Sequence, residues 1–353
     1  MRLMCAVAAG ECTDTWPGSR REVVAYTQLR RMVEAEGLFE RRPWSDASRV
    51  AITVLAFGLA LTALPRLGET ASFLLDGVLA AFLAGQVAFL AHDACHGQLA
   101  RSRERTEALT LVLTCLLLGA SLGWWKRKHD LHHAHPNDVL RDPDARISIL
   151  AFSAQEAQER MGFSRWIAKW QAYLLAPLLL FEAFHLKAHS LIVVARGGAR
   201  HAIVEPILMT LHYVALYGGS FWLLSPADAL IFLFSFHGAL GLYLGLVFAP
   251  NHIGMPVAGD WTQGDFLQAQ VVTSRNVRGS RLVDFLFGGL NHQIEHHLFP
   301  SMPRRQLRRA GALVRAFCEE RGLCFHQPGL LDTYREVFGH LHSVGVTLRR
   351  KGR

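Results

Sequence analysis

Long apolar runs most strongly constrain what this chain can fold into. Ala71 to Ala91 contains one charged residue, Asp76, and Ala229 to Ala249 contains no Asp, Glu, Lys or Arg. A transmembrane helix needs about 20 consecutive apolar residues, so either run is long enough to cross a bilayer. Val50 to Leu64 and Ile207 to Leu224 are shorter runs of the same kind. Because the apolar residues are grouped in this way, the 353-residue chain is predicted to be an integral membrane protein.

The runs predict an all-α membrane fold with four transmembrane helices, arranged as two hairpins. The predicted spans are about 48–64, 71–91, 207–224 and 229–249. The short connections are Pro65 to Thr70 and Ser225 to Asp228, and the second contains no Lys or Arg. Basic residues instead flank the hairpins: Arg20, Arg21, Arg30, Arg31, Arg41, Arg42, Arg101, Arg103, Arg105, Lys126, Arg127, Lys128, Arg304, Arg305, Arg308 and Arg309. The positive-inside rule then places the flanks in the cytoplasm and the short connections outside.

This arrangement predicts three parts of the chain. Residues 1–46 form a cytoplasmic N-terminal segment, 47–307 a membrane domain, and 308–353 a cytoplasmic tail. Met1 to Ala9 is apolar but short and is followed by polar residues, which does not fit a cleaved signal peptide.

The charge and the cysteine content further narrow the class of protein that the sequence predicts. The net charge of +8 is explained by the arginine bias of cytoplasmic loops, and no segment resembles a nucleic-acid-binding module. The six cysteines contain no CxxC pair, which predicts reduced, structural thiols. Cys95 alone lies inside a histidine cluster and is an alternative soft metal ligand.

Three short clusters of histidine lie beside the apolar segments. They are His92-Asp93-Ala94-Cys95-His96, His129-Asp130-Leu131-His132-His133 and His292-Gln293-Ile294-Glu295-His296-His297. Residues three or four apart share one face of a helix, with Cβ atoms about 5–6 Å apart. Neutral imidazole is a common ligand of iron, zinc and copper, so this spacing predicts metal binding.

The number of donors favours two metal ions over one. A structural zinc needs four ligands. The clusters supply more nitrogen donors than that, and His252 follows the fourth predicted span. Asp93, Asp130 and Glu295 lie within the clusters and are predicted to orient imidazoles through their far ring nitrogens. A dimetal site with few anionic ligands at a membrane surface favours iron that activates oxygen against an apolar substrate over zinc hydrolysis.

A shared metal site also restricts two ambiguous segments. Ala108 to Gly123 is marginal as a span, and a full crossing would put the second cluster on the opposite side from the first. We therefore expect it to be re-entrant or shallow, with all clusters in a cytoplasmic helical cap. Tyr173 to Val194 is interrupted by Glu182, His185, Lys187 and His189, which favours an interfacial helix.

The order HxxxH, HxxHH and [H/Q]xxHH, together with Gly288 to Pro300, resembles the membrane-bound fatty acid desaturases, especially their acyl-lipid or front-end branch. Trp124 to His129 and the Asn251-His252 pair also match, and the resemblance extends from about Trp44 to Leu307. It implies a non-haem centre of two iron ions, molecular oxygen as co-substrate, and removal of two hydrogens from an acyl chain to leave a cis double bond. The implied metal ligands are His92, His96, His129, His132, His133, His252, Gln293, His296 and His297. Asn251 joins the three acids as a supporting residue, and Trp124 and Trp125 are either wall residues of an acyl tunnel or interface anchors.

The sequence departs from the family pattern in two places. His292 precedes Gln293, so either side chain could face the metal, and the family pattern favours Gln293. The His-Pro-Gly-Gly motif of a fused haem domain does not occur in this sequence, which predicts an external electron donor such as a ferredoxin or a cytochrome with its reductase.

Other polar residues are predicted to have structural roles. His185 and His189 suit surface or headgroup contact, and His212 and His237 suit hydrogen bonds between helices. Asp142 and Asp144 are expected to cap a helix or hold the second-cluster loop.

The leading hypothesis is an acyl desaturase in a bacterial inner membrane, with its active site on the cytoplasmic side. Its substrate is a fatty acyl chain on a glycerolipid, coenzyme A or a carrier protein. The alternatives are a lipid hydroxylase or ketolase of the same di-iron class and, more remotely, a membrane metal transporter.

Overall fold

A computed structural model describes residues 19–63, 70–145, 147, 149–258 and 265–350. Within these ranges the regular elements are helical, and the only bridge between extended residues is an isolated one joining Arg278 and Gly329. The all-α prediction is therefore confirmed. The predicted N-terminal apolar stretch, Cys5, Cys12 and residues 65–69 of the first short connection lie outside the described residues.

The helices follow one another along the chain, with two π-helical segments among them. They are α1 (Ser19–Ala35), α2 (Pro43–Ala63), α3 (Thr70–Cys95), α4 (Arg103–Leu111), π1 (Val112–Leu117), α5 (Leu122–Ala134), α6 (Ala154–Glu159), α7 (Gly162–Leu179), α8 (Glu182–Ala195), α9 (Val204–Tyr213), π2 (Val214–Gly218), α10 (Gly219–Leu223), α11 (Pro226–His252), α12 (Phe266–Val272), α13 (Arg281–Leu286), α14 (Gln293–Leu298), α15 (Arg304–Glu320) and α16 (Leu330–Arg350).

The chain divides into two compact units, each made of segments distant in sequence. The apolar-helix unit comprises Arg41–Asp130, Ser148–Ala249 and Leu341–Arg353. The histidine-rich unit comprises Met1–Glu40, Leu131–Ile147 and Pro250–His340. These units interleave along the chain, and the linear division at residues 46 and 307, which concerns the two sides of the membrane, stays a prediction.

The apolar-helix unit contains the long hydrophobic helices. By length and composition, three helices of the described chain can cross a membrane: Pro43–Thr62, Ser72–Cys95 and Pro226–His252. The number rises to five if each of two bent helix pairs is one span. The third predicted span is helical over 204–223 but is interrupted by π2. The chain is an integral membrane protein, and four spans in two hairpins remain a prediction.

The two bent pairs coincide with the segments that the sequence left ambiguous. Arg103–Leu117 and Leu122–Ala134 meet at 112°, which suits a broken span as well as a re-entrant loop, so the re-entrant or shallow path expected for 108–123 stays a prediction. Gly162–Leu179 and Glu182–Ala195 meet at 78°, where one interfacial helix was expected.

The core of the histidine-rich unit lies between α1, α12, α14 and α15. Leu29 and Val33 on α1 lie on one face of that helix and are buried with Val271, Ile294 and Val314. α14 is buried along its whole length. It follows a turn in which Gly289 has φ of 81°, and a Cβ atom there would collide with Arg304. Glycine is therefore required at position 289, three residues before the third histidine cluster begins.

Candidate metal centre

Three predicted ligands meet in the apolar-helix unit. His92 lies in the last turn of α3, His96 follows that helix, and His129 is on α5. The ring centroids are 4.7 Å apart for His92 and His96, and 4.9 Å for each of the other two pairs. We call these three residues the first histidine set.

Trp125 contributes to the geometry of the first set. It precedes His129 by one helical turn, so both side chains lie on the same face of α5. Its ring stacks on the His129 imidazole with centroids 4.6 Å apart and planes at 17°. It also meets His92 edge-on at 6.1 Å. Trp125 thus restricts how the His129 ring can rotate.

Three other predicted ligands meet in the histidine-rich unit. His132 is near the end of α5, His252 ends α11, and His297 is on α14. Their ligand atoms lie within 4.8 Å of one another, and their ring centroids are 4.7 to 5.1 Å apart. We call them the second histidine set. In the same unit, the Nε2 atoms of His133 and His296 are 3.1 Å apart.

Each imidazole of the second set forms a hydrogen bond through Nδ1. The His132 Nδ1 lies 2.9 Å from Asp142 Oδ2, and the His252 Nδ1 lies 2.9 Å from the Thr273 carbonyl oxygen. The His297 Nδ1 lies 2.8 Å from Gln270 Oε1. If Nδ1 donates in each case, Nε2 is left as the lone-pair donor, which is the tautomer that a metal requires.

The spacing of ring nitrogens fits a metal ion. Two nitrogens bound to one ion at about 2.1 Å and about 90° lie about 3 Å apart. The Nε2 atoms of His96 and His129 are 2.8 Å apart, and those of His133 and His296 are 3.1 Å apart. Neutral ring nitrogens that face each other this closely suit a cation between them. The residues present therefore fit iron or another imidazole-binding metal.

The side chains of His292 and Gln293 have different partners in the structure. The Gln293 Nε2 atom lies 3.2 Å from the His252 Nε2, and its Oε1 accepts a hydrogen bond from Asn251 Nδ2 at 3.1 Å. The His292 Nε2 instead lies 3.0 Å from Asp284 Oδ1. Gln293 is thus directed toward the second set, and His292 toward an acid outside it.

The predicted supporting residues fall in different places. Asn251 contacts Gln293 as described, and buried Asp93 lies 3.7 Å from His92 Nδ1 and 3.3 Å from an Arg49 nitrogen. Asp130 departs from its predicted role, because it is exposed and pairs with Lys126 Nζ at 2.9 Å.

Glu295 also has a partner that the sequence did not indicate. It is completely buried and accepts two hydrogen bonds from Asn276 Nδ2, at 3.0 and 2.8 Å. Burial raises the pKa of this carboxyl group above its usual range. The Asn276 Oδ1 also accepts from the backbone N–H of Ile294, so Asn276 holds the start of α14.

Three of the histidines that were predicted to be structural have local partners of the kind expected. The His237 Nε2 lies 2.8 Å from the Tyr217 hydroxyl, which is the predicted bond between helices. His185 and His189 stack edge-on at 4.4 Å, and Trp124 lies against His189 at 6.3 Å. Among the described residues, neither this pair nor Cys95 belongs to a group with metal-binding spacing.

Sequence reasoning missed Gln270, Thr273 and Asn276 as supporting residues. They lie on or after α12, in a segment without histidine, so the sequence offered no local signal for them. Asp142 was expected to hold the second-cluster loop, and it does so while bonding His132. Burial acts to raise the pKa of Asp142, but the hydrogen bond from His132 and the Asp144 backbone N–H lower it below its usual range.

A recess in the histidine-rich unit reaches two of these histidines. It has a volume of about 380 Å³, and His133 and His297 are among the residues that line it. Tyr26, Phe39 and Phe299 supply aromatic walls. Two of the predicted ligands therefore border open space within this unit.

Comparison with known proteins places the chain in a family. The family model described as fatty acid desaturase matches residues 70–329. An acyl-lipid (9-3)-desaturase of Physcomitrium patens is 28% identical over 343 residues, covering 90% of this chain and 62% of that protein. A Delta(5) fatty acid desaturase of Caenorhabditis elegans is 28% identical, covering 93% and 76%. A Delta 8-(E)-sphingolipid desaturase of Emericella nidulans is 29% identical, covering 92% and 62%.

Proposed function

Because the chain belongs to the fatty acid desaturase family, we propose that it is an oxygen-dependent desaturase that introduces a cis double bond into a fatty acyl chain. The observation that carries the proposal is the pair of histidine sets, each gathered from segments distant in sequence. The curated relatives support an acyl or sphingolipid substrate, and the chain spans 62% of the length of two of them.

The proposed ligands are those that the family resemblance implied. His92, His96 and His129 would hold one iron ion, and His132, His252 and His297 the other. His133, His296 and Gln293 are further donors. When bound, a pair of non-haem iron ions supplies the oxygen-dependent removal of two hydrogens.

The protein's own residues prepare that chemistry. Asp142, Gln270 and the Thr273 carbonyl fix the tautomer and direction of the second set through the Nδ1 contacts. Trp125 fixes His129 and offers an apolar surface beside the first set. An acyl chain held against such a surface presents a fixed methylene, and positioning of that kind decides which carbon reacts.

Substrate form, donor and location belong to the same proposal. The chain acts on acyl-lipid or acyl-CoA and receives electrons from a ferredoxin or a cytochrome with its reductase. We place it in a bacterial inner membrane with the site on the cytoplasmic side, as the positive-inside rule predicted.

The fatty-acid profile of a bacterial host that lacks this activity tests the proposal. The gene is expressed with an electron donor, and an His296→Ala variant serves as the control. We expect new unsaturated chains that disappear in the variant. Hydroxylated or keto products would favour the hydroxylase or ketolase alternative, and metal transport into liposomes without oxygen consumption would favour the transporter.

A further inference from the structure

Two charged residues are buried within apolar parts of the apolar-helix unit. Lys187 lies on α8 and is 7% exposed, and Glu205 in the first turn of α9 is fully buried. The sequence assigned Lys187 to an interfacial helix, where its ammonium group would face water. Burying a charge is costly unless polar groups replace water around it. Both side chains find such groups at one place, the bend Leu118–Ser121 between π1 and α5.

The Lys187 side chain reaches from α8 to the C-terminal end of π1, the helix that enters the bend. Its Nζ donates to the Leu118 carbonyl oxygen at 2.8 Å and lies 2.7 Å from the His212 Nε2. It is also 5.3 Å from the centre of the Tyr213 ring. A cation is favourable at this position, because the carbonyl groups at a helix C-terminus carry partial negative charge.

The neighbours of Lys187 complete the capping of this helix end. The His212 Nδ1 lies 3.0 Å from the Leu116 carbonyl oxygen, and the Tyr213 hydroxyl donates to the Gly119 carbonyl at 2.9 Å. The last carbonyls of a helix have no partner within it. Here, side chains from α8 and α9 supply donors to the carbonyls of Leu116 and Leu118 at the end of π1, and to that of Gly119 in the bend.

The Glu205 side chain reaches from α9 to the N-terminus of α5, the helix that leaves the bend. Its Oε2 accepts hydrogen bonds from Ser121 Oγ at 2.7 Å and from the Gly123 N–H at 3.2 Å. Its Oε1 accepts from the backbone N–H groups of Arg200 and His201, at 2.8 and 3.1 Å. A carboxylate is favourable at a helix N-terminus, where unpaired N–H groups carry partial positive charge.

Two glycines allow the close contacts at the bend. Gly119 has φ of 66°, and a Cβ atom there would overlap the His212 ring. A Cβ atom at Gly123 would overlap the Arg200 backbone nitrogen. Both positions therefore need a residue without a side chain.

We infer that Lys187 and Glu205 are positioning residues for the first histidine set. They hold the bend from opposite ends, Lys187 as a hydrogen-bond donor and Glu205 as an acceptor, and α5 transmits its orientation to Trp125 and His129. His129 is about 9 Å along the helix from Gly123 at 1.5 Å per residue, so a tilt of about 10° moves it by about 1.5 Å. Metal–ligand distances tolerate only about 0.2 Å.

The inference rests on the proposed function, because it concerns the affinity for iron. Its test is competition with a chelator for iron bound to the purified full-length protein in detergent, with Lys187→Met, Glu205→Gln and the milder Ser121→Ala. Removing groups that orient metal ligands typically lowers metal affinity about 10- to 100-fold. We expect a decrease of that order for the first two variants and a smaller one for Ser121→Ala. Lys187→Arg, which keeps the charge, should restore most of the affinity.

Two controls separate positioning from general stability. Lys169→Met removes the ammonium group that lies over Trp170 on α7, away from the bend. Leu175→Ala removes a buried side chain from the same helix, which supplies none of the hydrogen bonds at the bend, and destabilises the fold. Both should keep the iron affinity of the wild type, and the spectrum of the cobalt-loaded protein should change only in the bend variants.

Each outcome has a definite meaning. Folded Lys187→Met and Glu205→Gln proteins with the iron affinity and cobalt spectrum of the wild type would overturn the inference. An equal loss of affinity in Leu175→Ala would also overturn it. If Lys187→Met does not fold, Ser121→Ala decides the question. A wild-type protein that binds no iron would instead refute the proposed function.

Discussion

In the histidine-rich unit, three imidazoles are oriented by hydrogen bonds from loops and from α12, whereas in the apolar-helix unit they are oriented by helix geometry and stacking. His132 and His297 each contact a polar side chain through Nδ1. His129 instead stacks on Trp125, and His92 and His96 are one turn apart at the end of α3. The arrangement in the histidine-rich unit depends on individual polar atoms, whereas the arrangement in the apolar-helix unit depends on where whole helices lie. Substitutions that change one atom should therefore affect the two units differently.

The largest effect is expected from removing a proposed ligand in either unit. His96→Ala or His252→Ala should lower activity more than about 100-fold, because losing a ligand should exceed the 10- to 100-fold cost of losing its supporting partner. The measurement is product formation together with iron per chain. His342→Ala, an exposed residue, is the matched control. A ligand variant with normal activity would remove that residue from the proposed set.

In the histidine-rich unit, changing one atom of Asp142 tests whether its hydrogen bond to His132 supports iron binding. Asp142→Asn replaces a carboxylate oxygen by an amide nitrogen beside His132 Nδ1 and should weaken iron binding about 10-fold or more. Asp144→Asn is the control, because its carboxylate is 3.8 Å from the same nitrogen and 40% exposed. Chelator competition should leave the control unchanged. Equal losses in both variants would mean that general negative charge, rather than the contact with His132, matters.

In the apolar-helix unit, removing the Trp125 ring tests whether its stacking on His129 supports iron binding. Trp125→Leu should weaken iron binding about 5-fold, since an aromatic pair contributes about 1 kcal/mol beyond its buried area. Trp222→Leu, at a position 86% exposed, should have no effect. The same chelator competition measures both variants. An unchanged affinity in Trp125→Leu would assign the orientation of His129 to the helix alone.

The smallest effect concerns acid stability in the histidine-rich unit. Burial acts to raise the pKa of Asp284, but hydrogen bonds with His292, Arg308 and Asn291 lower it well below its usual range. A carboxylate with a lowered folded pKa stabilises the fold above its unfolded value, about 3.9, and loses that contribution as pH falls through the folded pKa.

Asp284→Asn should therefore reduce the free energy of unfolding by about 1 kcal/mol at pH 6, with the difference from wild type shrinking below about pH 4. Thermal unfolding between pH 3 and pH 6 measures this. Asp332→Asn, whose side chain is 60% exposed, should show no such trend. A difference that grows on acidification would contradict the assigned direction.

The sequence by itself determined the membrane class, the helical fold and the residues of both histidine sets. These features are local: the length of an apolar run decides whether it can span a bilayer, and a spacing of three or four decides which side chains share a helix face. His252 follows a predicted span and was already counted among the nitrogen donors, whereas the resemblance to the desaturase family added Gln293.

Only the tertiary structure decided which partners orient the imidazoles. Gln270 is 27 residues before His297, and Thr273 is 21 residues after His252, so no spacing rule connects either pair. The structure likewise turned Gln293 toward His252 and buried Lys187 at a helix end that the sequence could not show. The physical reason is that a hydrogen bond to a ligand, or the solvation of a buried charge, depends on packing between distant segments, whereas periodicity reports only on neighbours along the chain.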